Sequence, residues 1–215
     1  LLKLQSAYRA HHSTETAVLK VLSDIFKAID SGNLAVLTLL DLSAAFDTVF
    51  DTLLRRLQVT YGLDGAVLRW FRSYLSDRTQ FVRCGECKSA PTTLLCGVPQ
   101  GSVLGPILFL LYTADLLWRI EQHDLQPHLY TDDTQIYGFC PPSDADQLCE
   151  KMSACIDEVS AWMAANRLLM NDSKTEVLWC SSLRRQNQIP TASVRIGKTQ
   201  VQPVRSVRDL GVLLD

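Results

Sequence analysis

The stretch "HLYTDDTQIYGF", residues 128–139, sets two acids between arms of apolar, β-branched and aromatic residues. The arms read as strands and the acids as the tip between them. "LQPHLY" and "TQIYGF" are therefore expected to form a β-hairpin turned at Asp132 and Asp133. Asp is a favoured turn residue, which is explanation enough for one acid. Two like charges at the end of buried arms admit a second explanation, a site for a cation that neither carboxylate holds alone. On these residues alone both explanations stand.

Upstream, "STETAVLKVLSDIFKAIDSG" carries Val18, Val21, Leu22, Ile25, Phe26 and Ile29 at helical spacing, with Ser13 to cap the start and Gly32 after the end. The pattern predicts an amphipathic helix with those six residues on its apolar side. "LAVLTLLD" follows as a short apolar run ending at Asp41, the pattern of a strand buried on both faces. The small residues of "SAAFDTV" suit a turn into a helix, "DGAVLRWFRSYL" reads as a helix with Asp64 near its N-cap, and "TQFVRC" as a strand. After "GVPQGS", the run to Trp118 is expected to be a core helix, which Pro106 permits from its first turn onward. Beyond the hairpin, "SDADQLCEKMSACIDEVSAWMAAN" is a second long amphipathic helix. "KTEVLWC", "ASVRIG", "TQVQPV" and "DLGVLLD" read as short strands. This order predicts an α+β fold, a mainly antiparallel sheet with helices packed on one face.

The bulk properties agree with such a fold. With 215 residues, 47% apolar and 20% charged, the chain has the composition of a globular domain with a sizeable core. A formal charge of −2 supplies no general attraction to nucleic acid, so a nucleic-acid partner needs a locally basic surface. The opening "LLKLQSAYRAHHSTE" carries no initiating Met and no secretory signal, as expected of an internal piece of a longer protein. The most apolar stretch, "VLGPILFLLYTADLLW", is broken by Gly105, Pro106 and Asp115 and is too short to span a membrane. Seven irregularly spaced cysteines fit a reducing compartment better than a disulfide framework. Cys84 and Cys87 form a lone CxxC without a second ligand pair, read as a hairpin with Gly85 at its tip rather than a zinc site.

Asp41 at the end of a buried strand faces the same difficulty as the hairpin acids. Desolvating an anion is costly unless a positive charge offsets it. Should Asp41, Asp132 and Asp133 meet, their hard oxygens would select Mg²⁺ or Mn²⁺ over zinc. A pair of such ions is an arrangement suited to phosphoryl displacement. Between the acids lies "GVPQGSVLGPILF", whose glycines allow close approach of backbone while Pro99 and Pro106 stiffen it. Gln100 adds an amide able to donate and accept. A Gly/Pro-rich turn accounts for the same pattern.

"LLDLSAAFDTV", "GVPQGSVLGPILFLLYTADL", "LYTDDTQIY" and "LLMNDSKTEVLW", in this order, resemble the palm of a reverse transcriptase from a non-LTR (LINE-type) retrotransposon, nearest to jockey-like and CR1-like elements. "LQSAYRAHHSTETAVL" is similar to the family's fingers–palm boundary and "VRDLGVLLD" to its strand after the palm. The resemblance implies a polymerase palm with partial fingers. Residues 1–33 would be a fingers-proximal helical segment, 34–182 the palm with inserted fingers elements, and 183–215 a strand-rich segment leading toward a thumb.

It further implies an RNA-directed DNA polymerase that adds dNTPs to a DNA primer on an RNA template. Its cofactors would be two Mg²⁺ ions, or Mn²⁺ in their place. Asp41, Asp132 and Asp133 would be catalytic metal ligands, with the Leu42 carbonyl completing the metal set. Ser43, Ala44 and Ala45 would present backbone to the triphosphate, and Phe46 would exclude a 2′-hydroxyl. Gln100 and Gly101 would support nucleotide and template, Lys174 would protonate the departing pyrophosphate, and Arg9 would lie near the triphosphate. An intracellular, ribonucleoprotein-associated life in cytoplasm and nucleus follows from the same resemblance, as does the absence of a membrane partner.

The chain departs from the family in reading "DTVFD" where "DTVDH" is common, and in carrying Thr131 where Ala is common. The basic tail, Arg184, Arg185, Arg195, Lys198, Arg205 and Arg208, is either a nucleic-acid face or a solvated one. The alternative to an enzyme is an inactive or domesticated remnant that folds and binds nucleic acid without polymerising.

Overall fold

The computed structural model describes residues 4–43, 51–94, 97–99 and 101–215. In chain order its elements are α1 (Thr14–Asp30), β1 (Leu34–Leu40), β2 (Leu42–Ser43), α2 (Asp51–Val59), α3 (Gly65–Leu75), β3 (Arg78–Gln80), β4 (Arg83–Cys84), β5 (Cys87–Lys88) and β6 (Thr92–Leu94). Next come α4 (Leu104–Thr113), α5 (Asp115–Glu121), β7 (Gln126–Tyr130), β8 (Asp133–Cys140), α6 (Ala145–Ala165), β9 (Leu169–Met170) and β10 (Glu176–Cys180). Two hairpins close the chain, β11 (Val194–Ile196) with β12 (Thr199–Val201), and β13 (Val207–Asp209) with β14 (Val212–Leu214). The chain divides into two compact units, Leu1–Ser43 with Ala114–Asp215, and Ala44–Thr113.

The first unit is built on an antiparallel sheet of order β10-β1-β8-β7. β1 is central, and its apolar run is buried at six of seven positions because both of its faces are covered. On one face Ala35, Leu37, Tyr137 and Leu178 form a core with Val18, Val21 and Ile25 of α1 and with Val207 and Leu214 of the last hairpin. On the other face Gly138, opposite Val36, leaves room for Leu148 of α6 and for Leu125. The α+β architecture therefore stands, with one correction: helices flank the sheet on both faces rather than one, as a central strand buried at six of its seven positions demands. In α1 the Ser13 Oγ accepts from the Thr16 N–H, and the Thr16 Oγ1 accepts from the Ser13 N–H, closing a capping box. Phe26, assigned to the apolar side by its spacing, is 57% exposed, while Ala17 and Ala28 are buried.

In the second unit α2 packs on α3 and α4. Arg56 of α2 donates to the Tyr112 carbonyl, its guanidinium 4.7 Å from that ring's centre. "TQFVRC" is two short strands rather than one. The Val82 N–H bonds the Ser89 hydroxyl at 2.9 Å instead of continuing a ladder, and Phe81 and Val82 are exposed. The Cys84–Cys87 pair is the expected hairpin, with Gly85 at φ +58° and both thiols free and exposed. The run expected as one core helix to Trp118 ends at Thr113 and restarts at Asp115, with Trp118 exposed. The Thr113 hydroxyl donates back to the Phe109 carbonyl at 3.0 Å, a bond that bends and ends helices. Among the described residues no helix is long and apolar enough to cross a membrane.

Candidate active site

The acids gather at one end of the first unit's sheet. β7 and β8 close at the pair Tyr130 and Asp133, leaving Thr131 and Asp132 as a two-residue turn. Hairpin turns of this length require positive φ, a requirement usually met by glycine. Here Thr131 takes φ +56°, a strained value for a β-branched residue, while its hydroxyl donates to the Tyr130 carbonyl at 2.6 Å. On the neighbouring strand the ladder's last pair is Leu40 with Thr134, so Asp41 and Asp133 are the next residues along each strand. On the other flank Lys174 donates to the Asp41 Oδ2 at 3.0 Å.

Asp41, Asp133 and Lys174 line one cavity of about 380 Å³ together with Gln135, Ser173, Glu176, Arg208 and Asp209. Burial, and then the charges of Asp132, Asp41 and Asp209, push the Asp133 carboxyl up to about 6, with Lys174 pulling the other way. This sheet end thus concentrates negative charge, with the acids Asp41, Asp133, Glu176 and Asp209 outnumbering the cations Lys174 and Arg208 around the cavity. Among the described residues, however, no group of three His, Cys, Asp or Glu side chains is drawn closely enough together to hold a metal ion. The donor set fits a hard divalent cation in chemistry, being carboxylate oxygens whose mutual repulsion a cation would relieve.

The other sequence candidates fall as follows. Leu42 is buried and pairs with Met170, and Ser43 pairs through its backbone with Leu169, so both extend from Asp41 on β2. Ala44, Ala45, Phe46 and Gln100 lie outside the described residues. Gly101 belongs to the second unit and takes φ +76°. Arg9 lies in the loop before α1, half-buried, its carbonyl accepting from the His12 N–H at 3.2 Å.

In the basic tail, Arg195 is held by both Asp157 oxygens, at 2.7 and 3.1 Å, and Arg208 lines the acid cavity. Asp209 was not expected from the sequence. It is 3% exposed, its Oδ1 accepts from Gln135 at 2.5 Å, and its buried Oδ2 has no hydrogen-bond partner among the described residues. The available signal was the alternation of "SVRDLG", which puts an acid on the same strand face as the core residue Val207.

An antiparallel sheet carrying acids at the end of its central strand and on the adjoining hairpin turn defines a polymerase palm of the α+β class. Residues 2–213 match the family described as "Reverse transcriptase (RNA-dependent DNA polymerase)", and the chain belongs to that family. Its relatives make it a LINE-type domain. It is 30% identical over 224 residues to the "Probable RNA-directed DNA polymerase from transposon X-element" of Drosophila melanogaster. It is 27% identical over 217 residues to the "Probable RNA-directed DNA polymerase from transposon BS" of the same fly. Each alignment covers 98% of this chain and 23% of the relative, so the chain spans about a quarter of those proteins. Among solved structures, apo telomerase from Candida tropicalis superposes with a TM-score of 0.59 at 16% identity, over 97% of this chain and 40% of the other, a likeness of fold. The family is one of nucleotidyltransferases, which normally employ divalent metal ions.

Proposed function

We propose that this chain is the palm, with part of the fingers, of an RNA-directed DNA polymerase that extends a DNA primer on an RNA template from dNTPs. The observation that carries the proposal is the meeting of Asp41 and Asp133 at one sheet end beside the Asp132 turn, where burial and like charge raise the Asp133 carboxyl. Carboxylates gathered at one sheet end are ligands that a divalent cation would draw together, and the family match supports the same reading. Asp41, Asp132, Asp133 and the Leu42 carbonyl would hold two Mg²⁺ ions. Bound there, such ions supply Lewis-acid chemistry, lowering the pKa of a hydroxyl and neutralising phosphate charge.

The chain's own residues do the remaining work. The strand ends fix the carboxylates in direction, and Lys174, an ammonium beside Asp41, holds the proton that a leaving pyrophosphate accepts. By the family resemblance, Ser43, Ala44, Ala45, Phe46, Gln100, Gly101 and Arg9 would serve the nucleotide. Residues 1–33 serve as the fingers-proximal segment, 34–182 as the palm, and 183–215 as the path toward a thumb. The same reading puts the protein in cytoplasm and nucleus with its RNA.

Retention of all three acids argues against an inactive remnant. The test is primer extension on an RNA template by the polypeptide with its flanking segments, comparing wild type with Asp132→Asn and Asp41→Asn. Loss of at least about a hundredfold in kcat is expected for each, and wild-type rates in either variant refute the assignment.

A further inference from the structure

Beneath the acid turn runs a buried chain of polar side chains. Ser6 Oγ lies 3.0 Å from His128 Nε2, His128 Nδ1 lies 2.9 Å from Gln135 Oε1, and Gln135 Nε2 lies 2.5 Å from Asp209 Oδ1. Each of the four residues is at most 5% exposed. His128 and Gln135 are a cross-strand pair of the β7–β8 hairpin, two pairs below the Tyr130–Asp133 pair that closes the turn. Ser6 belongs to the strap that runs beside β7, its N–H bonded to the Leu129 carbonyl, and three residues later that strap reaches Arg9. Asp209 ends β13 in a hairpin more than seventy residues from Gln135 in sequence.

The direction of every link is fixed from the Asp209 end. A carboxylate only accepts, so Gln135 donates through Nε2 and its Oε1 must accept. His128 Nδ1 therefore carries the ring proton, and Nε2 accepts from the Ser6 hydroxyl. Donors aligned toward one anion strengthen one another.

We propose that Asp209, acting through Gln135 and His128, positions the Asp132–Asp133 turn, so that the acid pair is held in working geometry only while the β13–β14 hairpin is seated. This rests on the polymerase reading of the turn. An apolar cross-strand pair would serve a core as well or better, because replacing both partners of a buried hydrogen bond by apolar groups of the same shape costs little stability. Hydrogen bonds, by contrast, fix the angle of the arms that carry a strained turn. Asp133 and Gln135 stand on the same face of β8, two residues apart, and Asp209 borders the cavity that both of them line. The residue that orients Gln135 is thus also a neighbour of the acid it positions.

Two measurements decide it. In the wild-type chain, the ¹⁵N spectrum of the His128 ring should show the Nδ1–H tautomer, and Asp209→Ala should abolish that preference. In the active polypeptide, Asp209→Ala should lower kcat about tenfold or more, the size typical of lost outer-shell support. Asp209→Asn, which keeps an acceptor for Gln135, should restore both the tautomer and most of the rate. If Asp209→Ala fails to fold, Gln135→Met, of similar volume, is examined in its place, with the same loss of tautomer and rate expected. An Nε2–H ring in the wild type overturns the proposal, as does an unchanged kcat in Asp209→Ala or Gln135→Met, or an Asn variant as impaired as the Ala variant. The tautomer is read without activity, so a failed strut is told apart from a failed polymerase assignment, which the Asp132→Asn comparison addresses.

Discussion

Asp133→Asn is expected to stabilise the metal-free fold at neutral pH while ending catalysis. The wild-type carboxyl is raised from 3.8 to about 6 by burial and by the charges of Asp132, Asp41 and Asp209. A group whose folded value lies above its unfolded value contributes stability that is present in full below the unfolded value and lost as pH rises through the folded one. Wild type should therefore lose stability between pH 4 and pH 7, and the Asn variant, which has no charge to bury, should not lose it. About two units at 1.36 kcal/mol each gives an upper bound of about 3 kcal/mol. The site is partly open to solvent, which screens the charges and reduces this to about 1–2 kcal/mol. For a chain of this size that corresponds to roughly 3–6 °C in melting temperature. The assay is thermal unfolding followed by circular dichroism in EDTA, at half-unit steps from pH 4 to pH 8. The variants should coincide near pH 4 and diverge above pH 6, with Asn the more stable. A difference that is independent of pH, or a less stable Asn variant at pH 7.5, would refute the charge argument.

Three further outcomes follow from the same geometry. Millimolar Mg²⁺ should stabilise wild type by about 1.4 kcal/mol at ten times the dissociation constant, read as a rise in melting temperature, and should raise that of Asp133→Asn less; equal shifts would show that the acids are not the ligands. Lys174→Met removes the positive charge that pulls the Asp133 carboxyl down, so in EDTA the variant should lose more stability than wild type as pH rises from 4 to 8, and equal losses would refute that pull. Gly138→Ala would bring a Cβ within 2.6 Å of Leu125 Cδ2 and 2.9 Å of Leu148 Cδ1, both on buried residues, so urea unfolding should show a loss of about 1–3 kcal/mol.

What could be read from sequence was what local periodicity encodes. The 3.6-residue spacing of Val18, Val21 and Ile25 and the cap at Ser13 give α1 nearly to the residue. The unbroken apolar run of β1 signals a strand covered on both sides, although helices on both faces follow from it only once the sheet order is known. Phe26 shows the limit of periodicity. Its spacing suits the apolar side of α1, but that side is narrower than the pattern, and part of what covers it, Val207 and Leu214, comes from the far end of the chain. Of the site, Asp41, Asp132, Asp133 and Lys174 could be named from motif and order. Their meeting depends on the registers β1–β8 and β1–β10, which no short window contains. The division into two units was also hidden, since one of them joins chain segments separated by residues 44–113.

Asp209 shows why a site can be richer than its motif. Hydrophobic patterning marks it as an error, an acid where β13 turns inward, and by local rules alone it should be replaced by something apolar. Its buried Oδ2 without a partner among the described residues and the raised carboxyl of Asp133 are both unfavourable to folding, and they border the same cavity. Positive-φ Thr131 at the turn is a third local cost in the same region. A fold tolerates costs clustered in this way when the surrounding sheet fixes them and the cluster serves chemistry. The consequence is that relieving them separately should trade activity for stability at each position. An Asn at 133 removes a buried charge and with it a metal oxygen, whereas an Asn at 209 removes charge but retains the acceptor that orients Gln135. Stability should rise in both variants, and only the second should go on extending primers.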